Sequence, residues 1–194
     1  RAGFSKTRQN AVSSMDHPAM STTSHPDVLV IAASNGENLK LAQRFVDEAK
    51  AQGKSADLLD LTTLDLPLFT PRVKEAGIPD GVRPLHEQLM GAPRWVICAP
   101  EYNGSIPPVL TSAIAWLSVQ GDDFRSLFNG RPVAMASFSG GPGIELLMVL
   151  RTQLTHLGAQ VVGRTLAGNQ NRPPRDSSLQ DLLNRLMQMA PLSL

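Results

Sequence analysis

The sequence predicts an α/β protein in which a parallel sheet is covered by helices on both faces. Strand-length apolar runs alternate five times with helix-length amphipathic segments, and no internal repeat interrupts them. The leading run, "DVLVIAA", is apolar throughout rather than alternating with polar residues, as a strand buried on both faces requires. Right-handed crossovers then convert the alternation into one sheet. A length of 194 residues suits a single domain with a full core.

The elements follow in order. "DVLVIAA" (27–33) is the first strand. "NLKLAQRFVDEAKAQG" places Leu39, Ala42, Phe45, Val46 and Ala49 on one helical face and stops at Gly53. "SADLLDL" is a short second strand, and the Pro/Gly-punctuated "TTLDLPLFTPRVKEAGIPDG" reads as a long surface loop. "VRPLHEQLMGA" is a modest helix and "RWVICA" the third strand. After Pro107 and Pro108 a helix carries Val109, Leu110, Ala113, Ile114 and Leu117 at helical spacing. Two prolines are tolerated there because the N–H groups of a first turn have no intrahelical partner. "NGRPVAMASF" is a fourth strand, and "GIELLMVLRTQLTHLG" a helix with Ile144, Leu147, Met148, Arg151, Leu154 and Leu157 along one side. "AQVVGRTLA" is the fifth strand and "SSLQDLLNRLMQMA" a closing helix.

Hydrophobic residues make up 42% and charged residues 18%, a globular balance. No apolar run approaches the roughly 20 residues of a membrane span. A net charge of +1 supplies no field for nucleic acid or an anionic membrane, so neither is expected as a partner. The single cysteine, Cys98, lies in an apolar run and points to a reducing, cytoplasmic setting. Residues 1–25 stand apart: Arg1, Lys6 and Arg8 face one Asp16, with little apolar periodicity. They read as a disordered leader or expression remnant, and 26–194 as the folded domain. Without the leader the charge falls from +1 to −1.

Ligands of parallel α/β sheets collect outside the carboxyl ends of the strands, at a switch in strand order. Three loops with unusual chemistry leave those ends. "AASNGEN" (32–38) joins a core strand to a helix through small residues, so its amides and the helix dipole can hold a phosphate, with Ser34, Asn35 and Asn38 as side-chain donors. A plain turn with Ser34 or Asn38 as N-cap fits equally well, and Glu37 opposes a phosphate unless it turns outward. "SFSGGPG" (137–143) permits positive φ angles and close approach to a flat ligand, but it lacks the G-x-G-x-x-G dinucleotide spacing. In "APEYNGS" (99–105), Pro100 stops the strand and Asn103-Gly104 turn the chain, leaving amides and the Tyr102 ring at the sheet edge. A tight turn with Tyr102 packed on the core is the plainer alternative.

The order of residues in "PEYNGSIPPVLTSAIAWLS" strongly resembles the signature P-E-Y-N-x-S-x-P-x-x-L-x-x-A-I-D-W-L-S of the NADPH-dependent FMN reductase family, which includes chromate, quinone and azo-dye reductases. Pro100, Glu101, Tyr102, Asn103, Ser105, Pro107, Leu110, Ala113, Ile114, Trp116, Leu117 and Ser118 match, while Ala115 replaces the usual Asp. "DLPLF" (65–69) and the stretch from Asn129 to Val162 resemble further family segments, so the likeness runs from Asp27 to Val162. It implies a flavodoxin-like three-layer sandwich with a five-stranded parallel sheet of order 2-1-3-4-5 and FMN at the switch point. By position, Pro100, Glu101, Tyr102 and Asn103, with Gly104, would flank the flavin ring. Ser137, Gly140 and Gly141, with Ser139, would meet its pyrimidine edge. Ser34 and Asn38, with Asn35, Gly36 and Leu39, would lie at the phosphate. The first loop departs from the family's S-x-R-x-x-S-x-N pattern: it is shorter and lacks the Arg.

The resemblance implies an FMN-dependent oxidoreductase that takes electrons from NADPH or NADH and passes them to a quinone, chromate, an azo dye or free flavin, as a homodimer or homotetramer. A non-enzymatic FMN carrier and a flavin-binding sensor are the alternatives; the near-neutral folded part disfavours a carrier docked by an acidic face. Flavin chemistry needs no side-chain acid or base, so no catalytic residue and no metal ligand is assigned. His86 and His156 fall on helices and Cys98 in the core; Arg172 and Arg175 read as part of a solvated loop, with a contact to a dinucleotide phosphate or a neighbouring subunit as the alternative.

Overall fold

The computed structural model describes residues 25–193; the leader expected over 1–25 lies, apart from His25, outside the described residues. Among the described residues there are six strands and six α-helices. They are β1 (Val28–Ala32), α1 (Glu37–Ala51), β2 (Ala56–Asp60), α2 (Pro71–Glu75), α3 (Val82–Gly91) and β3 (Trp95–Cys98), followed by α4 (Pro108–Leu117), β4 (Pro132–Phe138), α5 (Ile144–His156), β5 (Gln160–Val161), β6 (Leu166–Gly168) and α6 (Asp176–Gln188). All pairings are parallel and the order is β2-β1-β3-β4-β5, with β6 also on β4. This is the three-layer sandwich of order 2-1-3-4-5 expected from the sequence.

Strand residues divide strictly between two cores. Val28, Val30, Ala32, Val96, Cys98, Ala134 and Ala136 meet α1 and α6 on one face. Leu29, Ile31, Trp95, Ile97, Val133 and Met135 meet α3, α4 and α5 on the other. The period-2 side-chain alternation of a strand thus fills both layers from uninterrupted apolar runs. On α1 the buried stripe is Asn38, Leu41, Ala42, Phe45, Val46 and Ala49. It begins on a polar residue, and Leu39, expected in the stripe, is only partly covered.

The fifth strand differs from expectation. The run 159–167 is two short strands that pair with the two ends of β4. Val162 still donates its N–H to the Val133 carbonyl at 2.9 Å, but the chain then leaves the ladder. The Arg151 guanidinium takes up the Val162 carbonyl at 2.8 Å and the Gly163 carbonyl at 3.3 Å, so the break leaves these acceptors satisfied. The loop after β2 also has more structure than expected: a 3-10 turn at Leu61–Thr63 and α2, capped by the Thr70 hydroxyl, which accepts the Val73 N–H at 3.1 Å. Its "DLPLF" segment is fastened to α4. The buried Trp116 indole donates to the Pro67 carbonyl at 2.8 Å, the Ser112 hydroxyl accepts the Phe69 N–H at 2.9 Å, and the Phe69 and Trp116 rings meet edge to face at 4.9 Å.

At the amino ends of the strands Arg131 is buried, 8% exposed, without a carboxylate in contact among the described residues. Its guanidinium lies 4.7 Å from the Trp95 ring centre and donates to the carbonyls of Leu127, at 2.7 Å, and Ala92. Burial lowers its pKa to about 10, which still leaves it charged at neutral pH. The residue ties the loop before β4 to the loop before β3. Arg131→Met keeps much of the apolar stem but orphans two carbonyls and removes the ring contact. It should lower unfolding stability by about 2–4 kcal/mol in urea titration while leaving the denaturant slope unchanged.

Candidate functional site

The carboxyl ends of β1, β3 and β4 open onto a cleft of about 340 Å³. It is lined by Ser34, Asn35, Gly36, Asn38, Pro100, Glu101, Tyr102, Ser139 and Gly140 from the sequence-assigned set, and by Glu37, Phe138 and Gln170 besides. The three loops singled out in the sequence therefore share one cavity.

The first wall is the start of α1. Gly36 occupies the N-cap position and no side chain caps the helix, so neither Ser34 nor Asn38 is the N-cap. Among the described residues, the main-chain N–H groups of Ser34, Asn35, Gly36, Glu37 and Asn38 have no hydrogen-bond acceptor. Five consecutive free donors at the positive end of a 15-residue helix are an arrangement chemically suited to an anion. Glu37 does not oppose an anion there, because its carboxylate pairs with the exposed Lys40 ammonium at 2.7 Å. Asn38 has a different duty from the phosphate contact assigned to its side chain. Its buried amide donates to the Phe138 carbonyl at 2.8 Å and accepts the Phe138 N–H at 2.9 Å. What Asn38 offers a ligand is its main-chain N–H.

The second wall is a miniature hairpin. Tyr102 and Ser105 exchange two main-chain hydrogen bonds, at 3.1 and 3.0 Å, around Asn103 at φ +52° and Gly104 at φ +69°. Positive φ at both central residues is the type I′ turn that Asn-Gly favours. Tyr102 is 49% exposed rather than packed on the core, so its ring is available as a platform. Glu101 is half-buried and its carboxylate accepts the Leu146 N–H at 3.3 Å, capping the first turn of α5. Its N–H in turn donates to the Ser139 hydroxyl at 2.8 Å. Pro107, at ψ 143°, is the N-cap of α4 and Pro108 its first residue, so the proline pair starts the helix below the hairpin.

The third wall is the loop after β4. The Ser137 and Ser139 hydroxyls lie 2.8 Å apart in the interior, and Ser137 is fully buried beneath the cleft. Only Gly143 is left-handed, at φ +69°, and a Cβ there would stand 2.9 Å from the Ser137 hydroxyl. Gly140 and Gly141, like Gly36, are not left-handed, and a Cβ on any of them would meet no protein atom within 4 Å. Backbone conformation therefore does not demand glycine at these three positions. What their missing side chains leave open is space, at Gly36 and Gly140 within the cleft itself.

Leu39, Asn103, Gly104, Ser137 and Gly141 do not line the cavity; Asn103 and Gly104 shape the hairpin and Ser137 supports Ser139. Gln170 and Phe138 are lining residues that sequence reasoning missed. Gln170 sits on a turn in which Asn169 and Arg172 exchange main-chain bonds at 3.1 and 3.2 Å. Burial drives the Cys98 thiol far above its ordinary pKa, so it is no nucleophile. Among the described residues no group of three or more His, Cys, Asp or Glu side chains is placed to hold a metal, and no helix is long and apolar enough to cross a membrane.

Residues 26–172 match the family described as NADPH-dependent FMN reductase. The chain is 38% identical over 103 residues to a quinone reductase of Escherichia coli K12, covering 52% of this chain and 53% of that protein. It is 34% identical over 89 residues to an NAD(P)H-dependent FMN reductase of Pseudomonas aeruginosa, covering 46% and 45%. The chain thus spans about half the length of the curated relatives it matches. Among solved structures, FerB, a flavoenzyme NAD(P)H:(acceptor) oxidoreductase from Paracoccus denitrificans, superposes with a TM-score of 0.66 at 20% identity, over 84% of this chain and 95% of that one. A flavodoxin from the domain Archaea superposes with a TM-score of 0.56 at 13% identity, over 82% and 93%. These distant likenesses carry the fold, and with the match over most of the described residues they lead to one conclusion: the chain belongs to the NADPH-dependent FMN reductase family.

Proposed function

We propose that the cleft holds FMN and that the protein is an NAD(P)H-dependent oxidoreductase that reduces quinones. The single observation that carries this reading is the run of five free N–H groups, Ser34 to Asn38, opening on the same cavity as the Tyr102 hairpin and Gly140. An anion site next to a flat, open-sided slot suits a phosphorylated planar cofactor, and membership of the family supports its being FMN. The helix dipole and free amides bind the phosphate without the arginine that relatives place in this loop. Pro100, Glu101 and Tyr102 flank the ring on one side and Ser139 and Gly140 on the other, with Gly141 extending the open edge. FMN held there by these residues would supply the redox chemistry, two-electron uptake from a nicotinamide and release of electrons in ones or twos. The chain orients the ring and keeps one face open to donor and acceptor in turn.

A quinone acceptor is supported by the curated quinone reductase relatives. Chromate, azo dyes and free flavin belong to the same reading as further small acceptors. Cytoplasmic placement rests on the one buried, unpaired cysteine. A homodimer or homotetramer is supported by Ile144, Met148 and Val149, exposed apolar residues along α5.

The test is spectroscopic. The purified protein should take up FMN and turn yellow. Anaerobic NADPH or NADH should bleach it, and a benzoquinone should restore the colour. Failure to take up FMN would remove the reading; a yellow protein bleached by neither nucleotide would make it an electron carrier or sensor. Gly140→Leu should weaken FMN binding at least tenfold in fluorescence titration and shift Tm by no more than a few degrees, because the new side chain enters the cleft and not the core. Gly104→Val forces a β-branched residue to φ +69° and should cost about 1–3 kcal/mol of stability in urea titration, together with flavin affinity.

A further inference from the structure

A second polar pocket, of about 330 Å³, is lined by β6 with the residues before it, by the loop that follows and by the start of α6. Arg164, Arg172 and Arg175 line it with Thr165, Pro174 and Ser178, and no carboxylate lines it. Two acids of α6, Asp176 and Asp181, are held in salt bridges, the second with Arg164 of the pocket itself. Asp176 holds Arg44 at 2.7 Å, and Asp181 is shared by Arg164 and Arg185, each at 2.9 Å. Arg172 and Arg175 form no salt bridge among the described residues.

The segment carrying these arginines is held rigidly. Arg172 closes the tight turn with Asn169, and its N–H also donates to the Asn169 side chain at 2.8 Å. Pro174 is buried against Gly168, where a Cβ would stand 2.4 Å from the proline ring. Its carbonyl accepts a bond from Arg44 at 2.8 Å. Two like charges on a preordered backbone, facing a cavity without acids, are the arrangement that binds a dianion. The pocket and the cleft border the same loop. Gln170 lines the cleft and Arg172 the pocket, two residues apart in one turn, so their backbones lie within about 7 Å.

We propose that this pocket is a phosphate-monoester subsite and that its phosphate is the 2′-phosphate of NADPH. A dinucleotide whose nicotinamide stands at the flavin cleft carries that group at its far end, and the loop that lines the cleft through Gln170 lines the pocket through Arg172. Guanidinium groups clasp phosphate oxygens in pairs, and the Ser178 and Thr165 hydroxyls are further donors among the lining residues. Selection of NADPH over NADH is thereby placed on a loop at the sheet edge and not on the first phosphate loop, which lacks an arginine. In this dinucleotide form the inference rests on the proposed reductase activity.

The experiment uses the full chain loaded with FMN and the double variant R172Q/R175Q. Two readouts are taken: KM for NADPH and for NADH, and calorimetric titration with inorganic phosphate. The expected result is a rise of roughly tenfold or more in KM for NADPH, with kcat and the NADH parameters unchanged, and only partial recovery in R172K/R175K, which restores the charge without the paired contacts. Phosphate binding that the double variant loses, with the NADPH-to-NADH ratio unchanged, supports the subsite but assigns it to a free phosphate ligand. If neither KM shifts selectively, and phosphate binds both proteins equally or neither, the proposal is overturned. If the protein oxidises neither nucleotide, the reductase reading fails and the phosphate titration alone decides the subsite.

Discussion

One buried amide holds the cleft in shape. β1 and β4 are not neighbours; β3 lies between them, which sets their ends nearly 10 Å apart at ordinary strand spacing. Asn38, in the first turn of α1, spans that gap and pairs with both main-chain groups of Phe138, the last residue of β4. It behaves as a strand segment supplied by a side chain. Because the pair is buried, breaking it leaves two main-chain groups and an amide unsatisfied, a larger loss than an exposed hydrogen bond would give. The loop after β1 therefore cannot drift from the loop after β4, and the five free N–H groups of the first keep a fixed relation to Gly140 in the second.

The middle loop is fastened to the same frame by charge and by turn geometry. Glu101 caps α5 with its carboxylate and reaches Ser139 with its N–H, joining the strand-three loop to the strand-four loop. Ser139 rests on Ser137, which is packed under the close approach at Gly143. The Asn103-Gly104 turn then lifts Tyr102 off this frame into solvent. The polar residues of "PEYN" are thus mostly anchors, and the aromatic ring is the part left free. An open ring beside unpaired amides is what a flat, phosphorylated ligand needs, and glycine where no backbone angle requires it keeps the slot clear.

Much of this was legible because it is local. Apolar runs identify strands buried on both faces, Asn-Gly identifies a turn, and a double proline identifies a helix start. Several features were not legible because they depend on residues distant in sequence. Asn38 reads as a cap or ligand donor until Phe138, a hundred residues on, is placed beside it. The break between β5 and β6 is tolerated because Arg151, on the preceding helix, satisfies the freed carbonyls. Gln170 lines the cleft from a loop that packs Pro174 against Gly168, far in sequence from the other walls.

By itself the sequence determined the layers, the strand order through its resemblance, and the three loops that meet at the sheet's carboxyl ends. Hydrophobic periodicity and turn chemistry act over a few residues, so they survive without a tertiary context. Tertiary structure alone decided which polar groups are left unpaired. A donor is free or satisfied according to what packs against it. Hence the free amides of Ser34 to Asn38, the occupied side chain of Asn38 and, among the described residues, the lack of a salt bridge at Arg172 and Arg175 became visible only when the distant parts of the chain were brought together.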